Sequence, residues 1–251
     1  MAKKKMNIFR DPAINMLLAI PFVGVLARKK HDTGIGANEN KARKIWTTKS
    51  RDFPDRLGHV LEIGTGIGFE MAKVFLENGA QKYTTVDIAE YNSNTNPPDG
   101  VEYIIYDGVN LPIESDSVDL IFSNWVFEHV RRPKLLVDEM SRVLCNGGRL
   151  VSEVDIRDHY QSEEIYQSDH LVYPKIIWEF LTYNRSAYTN RLRPSEWREI
   201  FVSAGFEIEI KDRNVSDQIL KRVSGNKRIT KKYSPTEAAT TSFTIVAQKL
   251  P

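Results

Sequence analysis

A chain of 251 residues, 41% hydrophobic and 27% charged, is long enough to bury one large α/β core and argues against two independent domains. Its 35 basic and 33 acidic residues leave a net charge of +2, which excludes a global field that demands nucleic acid or a strongly acidic partner. Cys145, the single cysteine, excludes an intrachain disulfide and a thiolate metal site, and fits a reducing, cytoplasmic setting.

The amino terminus comes first. Lys3, Lys4 and Lys5 precede an apolar run over residues 16–27, which Pro21 and Gly24 interrupt and Arg28, Lys29 and Lys30 close. Arg10 and Asp11 sit close before the run and no small-x-small cleavage pattern follows it, so a signal peptide fits poorly. Twelve residues span about 18 Å as a helix, short of the roughly 30 Å hydrocarbon core. Two readings stand: a segment that packs on the core or roofs the active site, and an interfacial anchor that touches a membrane peripherally through residues 14–30. Residues 1–50 are read as an extension carrying this segment and a helix, and residues 51–251 as the main domain.

Next comes Val60-Leu61-Glu62-Ile63-Gly64-Thr65-Gly66-Ile67-Gly68, an apolar strand ending in an acid and three alternating glycines. Glycines after a strand allow a sharp turn and close approach of a ligand to the backbone. A dinucleotide fingerprint from Gly64 needs its third glycine at position 69, where Phe69 stands. The helical spacing of Met71, Val74 and Phe75 predicts a helix over residues 69–78, with Gly79 as its cap.

Short strands are then expected at residues 83–86, ending in Asp87, and 101–106, ending in Asp107 and Gly108. The thirteen residues from Ile88 to Gly100 are too few and too rich in Asn and Pro for a full crossover helix. A fourth strand over 118–123 leads into Asn124, followed by a helix over 133–144 ended by Gly147-Gly148 and a fifth strand over 149–154. A helix over 194–204 and strands over 206–210 and 241–248 close the chain. This alternation predicts a doubly wound, Rossmann-like, mostly parallel seven-stranded sheet with an antiparallel last strand. Acids that end successive strands, Glu62, Asp87 and Asp107, are expected to converge on the ligand crevice at the sheet's carboxyl edge. Between the fifth strand and residue 194, a stretch dense in Tyr, Trp, His and Arg is read as a substrate cap over 156–193.

Residues 58–148 resemble the class I S-adenosylmethionine (SAM) dependent methyltransferases of the small-molecule type, on the strength of the acid and three glycines of the first motif, the acid ending the second strand, and Glu128-His129 after the fourth. The resemblance implies SAM as cofactor. Gly64, Thr65, Gly66 and Gly68 then match the loop around its methionine and ribose, and Glu62 orients that loop or meets the amino group. Asp87 matches the acceptor of both ribose hydroxyls, with Ile88 beside it. Asp107 matches the partner of the adenine amine, Gly108 allows close approach, and the Asn124 backbone meets the methionine end. Cys145-Asn146 stands where Lys-Pro is common.

For a hydroxyl acceptor, a histidine near the methyl is the natural base. His129 and His159 are the candidates, and Arg157, Arg191 and Arg193 are candidate clamps for an anionic acceptor. No third partner at metal-ligand spacing joins Glu128-His129, so no metal is expected. The reading is methyl transfer to a small-molecule, glycan or lipid-linked acceptor. An RNA or DNA methyltransferase is the alternative suggested by Lys211, Arg213, Lys221, Arg222, Lys227, Arg228, Lys231 and Lys232. Few aromatics interleave with those charges, and Asn124 lacks the following Pro-Pro of base-amine enzymes. A further alternative is a non-catalytic or membrane-associated subunit that keeps the fold.

Overall fold

The computed structural model describes residues 38–90, 96–161, 163–182 and 188–251. The apolar run over 16–27, Asn92, Asn94 and Tyr183 lie outside the described residues. Seven strands form one mixed sheet: β1 (His59–Ile63), β2 (Lys82–Asp87), β3 (Val101–Ile105), β4 (Val118–Asn124), β5 (Leu144–Asp155), β6 (Phe206–Val215) and β7 (Thr240–Lys249). Their order is β3-β2-β1-β4-β5-β7-β6, with the first five parallel and the last strands antiparallel. Chain order reverses between β1 and β4, which opens a crevice beyond their carboxyl ends, the usual place for a ligand in such sheets.

The chain divides into two compact units. The larger, built from the described residues of Gly34–Val154 with Ser195–Lys211 and Thr244–Pro251, holds most of the sheet. Helix α1 (Glu39–Lys49) opens it, started by Asn38, whose side chain accepts from the Lys41 amide at 2.9 Å. Trp46 from this helix joins Phe53, Phe75, Tyr83 and Phe122 in a ring cluster with centroid spacings between 5.1 and 6.0 Å. Phe75 comes from α2 (Glu70–Glu77), whose end is set by Gly79 at φ +96. Residues 88–90 and 96–100 contain no helix, as the short β2-to-β3 connection predicts.

One expectation is corrected here. Gly147 and Gly148 do not end a helix. Helix α3 (Pro133–Val143) stops earlier, and β5 already begins at Leu144. Its pairing with β4 then jumps from Val118↔Leu144 to Leu120↔Arg149, so the glycines form a bulge within the strand. A Cβ on Gly148 would sit 2.9 Å from the Cys145 carbonyl oxygen, which is why the bulge takes glycine there.

The smaller unit comprises the described residues of Asp155–Pro194 and Asp212–Phe243. It contains α4 (Lys175–Leu181), followed in sequence by α5 (Pro194–Ser203), which begins at its boundary. It also contains α6 (Asp217–Ser224), α7 (Lys227–Thr230) and α8 (Pro235–Ala238), three helices the sequence reading missed. Ser216, Asn226 and Ser234 cap the three helices through their side chains. Buried Ile219, Val223, Ile229 and Tyr233 pack there with Leu171 and Val172. The other focus is Trp178, buried and ringed by Tyr160, His170 and Tyr173, with its indole N–H donating to the Thr189 carbonyl at 2.7 Å. These aromatics build the unit's own core.

Candidate active site

The crevice is built from β1 outward. Gly64, Gly66 and Gly68 all have positive φ, at +85, +63 and +92. The Gly64 amide donates to the Val86 carbonyl at 2.8 Å, and the Gly66 amide donates to Asp87 Oδ2 at 3.0 Å. The Ile88 amide donates to Asp87 Oδ1 at 2.7 Å. Asp87 therefore latches the glycine loop to the end of β2. Burial raises its carboxyl pKa, and the backbone N–H groups of Gly66, Ile88 and Ala89 pull it back down.

Beneath the loop, Glu62 is buried and accepts from the Thr85 hydroxyl at 3.2 Å, while the hydroxyls of Thr65 and Thr85 are hydrogen-bonded to each other. Burial pushes the Glu62 carboxyl up to about 8, against the pull of the Tyr83 and Thr85 hydroxyls. Glu62 thus holds the Thr85 hydroxyl, and through it Thr65, from below the loop. The stability consequence has a definite sign. Between the ordinary value of 4.5 and about 8 only the folded chain keeps this proton, so stability falls as pH rises through that window. Glu62→Gln mimics the neutral acid and is expected to remove a slope of at most about 1.4 kcal/mol per pH unit. Urea midpoints of both proteins at pH 5 and pH 8 check this: the variant gains on wild type at pH 8, and equal shifts at both values refute it.

Asp107 behaves differently from the other two acids. It is exposed, and its Oδ1 accepts from the amides of Val109 at 2.8 Å and Asn110 at 2.7 Å. The Asn110 side chain and these amides lower its pKa, and the carboxylate shapes its own turn. That turn lies beside the crevice wall, since a Cβ on Gly108 would stand 3.3 Å from Ile88 Cγ2. Ile88 is 63% exposed, an apolar face left uncovered next to a glycine.

Asn124 ends β4, paired with Glu153. The next residue, Trp125, adopts φ +58, a left-handed conformation rare for a bulky side chain, and its amide donates to the Glu153 carbonyl at 2.8 Å. Lys41 from α1 lies over its ring at 4.5 Å, and Lys49 ties the same helix to Glu153 at 3.1 Å and to the Thr244 hydroxyl at 2.6 Å. Val126 closes against Gly64, where a Cβ would meet its Cγ2 at 2.3 Å. The sequence reading missed Trp125, Val126, Thr85 and Lys49; no residue pattern signals a left-handed tryptophan. His129 ends the 3-10 turn Phe127–His129, with Nε2 3.9 Å from Glu128 Oε1. No group of three metal-ligating side chains occurs among the described residues.

His159 belongs to the smaller unit, with Nε2 3.7 Å from Asp155 Oδ2. Burial would raise the Asp155 carboxyl, but Arg157 and His159 together hold it well below the usual range. Each of the three candidate clamp arginines is held by partners of its own. Arg157 Nε donates to Asp155 at 2.8 Å, and Arg191 donates to the carbonyls of His170 at 3.0 Å and Tyr173 at 2.6 Å. Arg193 is fully buried and donates to the Ile156 carbonyl at 2.8 Å. All three guanidinium groups brace the unit internally.

A glycine loop latched by an acid at the switch point of a doubly wound sheet stands where such sheets take a ligand. Comparison with known proteins points the same way: residues 61–152 match the family model described as a methyltransferase domain. An uncharacterized protein of Methanocaldococcus jannaschii is 29% identical over 134 residues, 49% of this chain and 62% of that protein. The malonyl-[acyl-carrier protein] O-methyltransferase of Methylococcus capsulatus is 33% identical over 96 residues, 36% of this chain and 35% of that one. The chain thus spans between a third and three fifths of these curated relatives. A SAM-dependent methyltransferase structure from Mesorhizobium loti has the same fold, with TM-score 0.58, 16% identity, and coverage of 84% of this chain and 100% of that one.

Proposed function

We propose that the protein is a SAM-dependent methyltransferase that methylates an oxygen of a small-molecule, glycan or lipid-linked acceptor. The observation that carries the reading is the Asp87 carboxylate bound to the Gly66 amide beneath open space, since a Cβ on Gly66 would meet no atom within 4 Å. A carboxylate with two acceptor oxygens suits a pair of ribose hydroxyls, and exposed Ile88 beside Gly108 suits an adenine face. SAM supplies an activated methyl on a sulfonium when bound. The chain's own residues hold the acceptor in line, exclude water and accept a proton. His129, on the turn that follows Asn124, is the proposed base, and His159 is the second candidate. The likeness to an O-methyltransferase supports oxygen as the atom methylated.

The test measures S-adenosylhomocysteine release from SAM across a panel of hydroxyl-bearing acceptors, with calorimetric SAM titration alongside. His129→Ala is expected to lower kcat by about a hundredfold or more and leave SAM affinity unchanged. A folded wild type that binds no SAM overturns the whole reading. A variant with wild-type kcat removes His129 from the chemistry.

A further inference from the structure

The smaller unit carries two exposed surface features of opposite character. The first is charge. Residues 212–233 hold seven basic and two acidic side chains, a surplus of five within a chain whose total is +2. Arg213, Lys221, Lys227, Arg228, Lys231 and Lys232 are all exposed. Arg222 makes a bidentate ion pair with Asp169, and Lys232 lies over the Tyr233 ring and donates to its hydroxyl. The second feature is apolar. Helix α4 turns Trp178 and Leu181 inward and leaves Ile176 74% exposed, Ile177 43% and Phe180 49%. Both belong to the same compact unit. Helices α6 and α7 pack on Leu171 and Val172, which precede α4 by only a few residues.

We infer that this unit docks on an anionic lipid surface, with the basic side chains of 212–233 over the headgroups and Ile176, Ile177 and Phe180 in the acyl boundary. Charge and apolar surface on one unit are what such a surface rewards: basic residues are drawn to an anionic leaflet and exposed aliphatic side chains enter it. Two other occupants fit less well. A nucleic acid would use the cations but leave two isoleucines in water, and a single phenylalanine makes no stacking platform. In a two-fold dimer the surplus of five positive charges would face itself, and three side chains offer roughly 500 Å² against the about 800 Å² per partner of a stable interface.

The inference does not rest on SAM binding, and flotation reads it without cofactor. The full chain is floated with vesicles of phosphatidylglycerol and phosphatidylcholine, and with phosphatidylcholine alone, at low and high salt. Wild type is expected to float with the anionic vesicles only, and less so at high salt. Lys227→Gln/Arg228→Gln/Lys231→Gln is expected to weaken binding on the order of a hundredfold, at roughly fivefold per basic side chain. Ile176→Ser/Phe180→Ser is expected to lose at least tenfold while keeping the salt dependence. All substituted side chains are exposed, so an unchanged melting temperature is the control for folding. Absence of flotation, flotation of both variants like wild type, or binding of an RNA oligonucleotide in place of vesicles each overturns the inference.

Discussion

Asp87→Ala is expected to weaken SAM binding by at least a hundredfold while shifting the melting temperature only slightly. Two effects combine. A carboxylate that accepts from two ribose hydroxyls makes two charge-assisted hydrogen bonds, each worth about 1.5 to 3 kcal/mol, and tenfold in affinity corresponds to about 1.4 kcal/mol. The same carboxylate fixes the Gly66 amide at 3.0 Å and the Ile88 amide at 2.7 Å, so its removal also frees the loop that must close on the cofactor. Asp87→Asn separates the two effects, because one carboxamide oxygen keeps a single acceptor and loses the charge; its affinity should fall between the two. Since burial raises the Asp87 pKa, SAM affinity of the wild type should also fall on acidification earlier than an ordinary aspartate would dictate. Calorimetric titration checks all three statements. An Asp87→Ala affinity within threefold of wild type would remove this residue from the cofactor site.

Which parts of this site were legible beforehand follows from what a residue type can and cannot encode. Glycines that need positive φ after an apolar strand announce themselves, because few other residues take that conformation, and Gly64, Gly66 and Gly68 all do. The place of Asp87 at the end of a short apolar strand was legible, and the structure ties it to the glycine loop there. Asp107 has the same signature, and its carboxylate also accepts from two amides of its own turn, a local role that sequence spacing does not disclose. Gly147-Gly148 misled for a related reason. A glycine pair after an amphipathic run reads as a helix stop, whereas here Val143 ends the helix and the pair bulges a strand. The aromatics of 156–193 were legible as a cluster and not as a core, since periodicity does not reveal what a side chain faces. Helices α6 and α7 were hidden by their charge, because a four-residue or eight-residue segment buries too few positions to leave a period in the sequence.

Gly64 and Gly66 stand two residues apart in one motif, yet substituting each with alanine should fail in opposite ways. At Gly64 the new Cβ would come within 2.3 Å of Val126 Cγ2, and φ is +85. The left-handed conformation costs about 1 to 2 kcal/mol and the overlap about 1 to 3 more, together a large fraction of the stability of an ordinary domain. Relief by movement is restricted on both sides. The Gly64 amide is bound to the Val86 carbonyl, and the Val126 carbonyl accepts from the His129 amide at 2.8 Å. Gly64→Ala is therefore expected to lower the melting temperature by roughly 10 °C. At Gly66 the Cβ meets nothing within 4 Å, so Gly66→Ala should cost about 1 kcal/mol of stability from its φ of +63 alone. On the proposed reading the cofactor approaches the loop through the open space it enters, so SAM affinity is the quantity expected to fall. Val126→Ala provides the decisive control, because it removes the methyl that clashes with position 64. In the Gly64→Ala background it should restore part of the lost stability, a positive coupling in a double-mutant cycle, and it should restore nothing to Gly66→Ala. Additive effects at 64 and 126 would show that the close approach of β1 and β4 ends at this glycine does not set the loop.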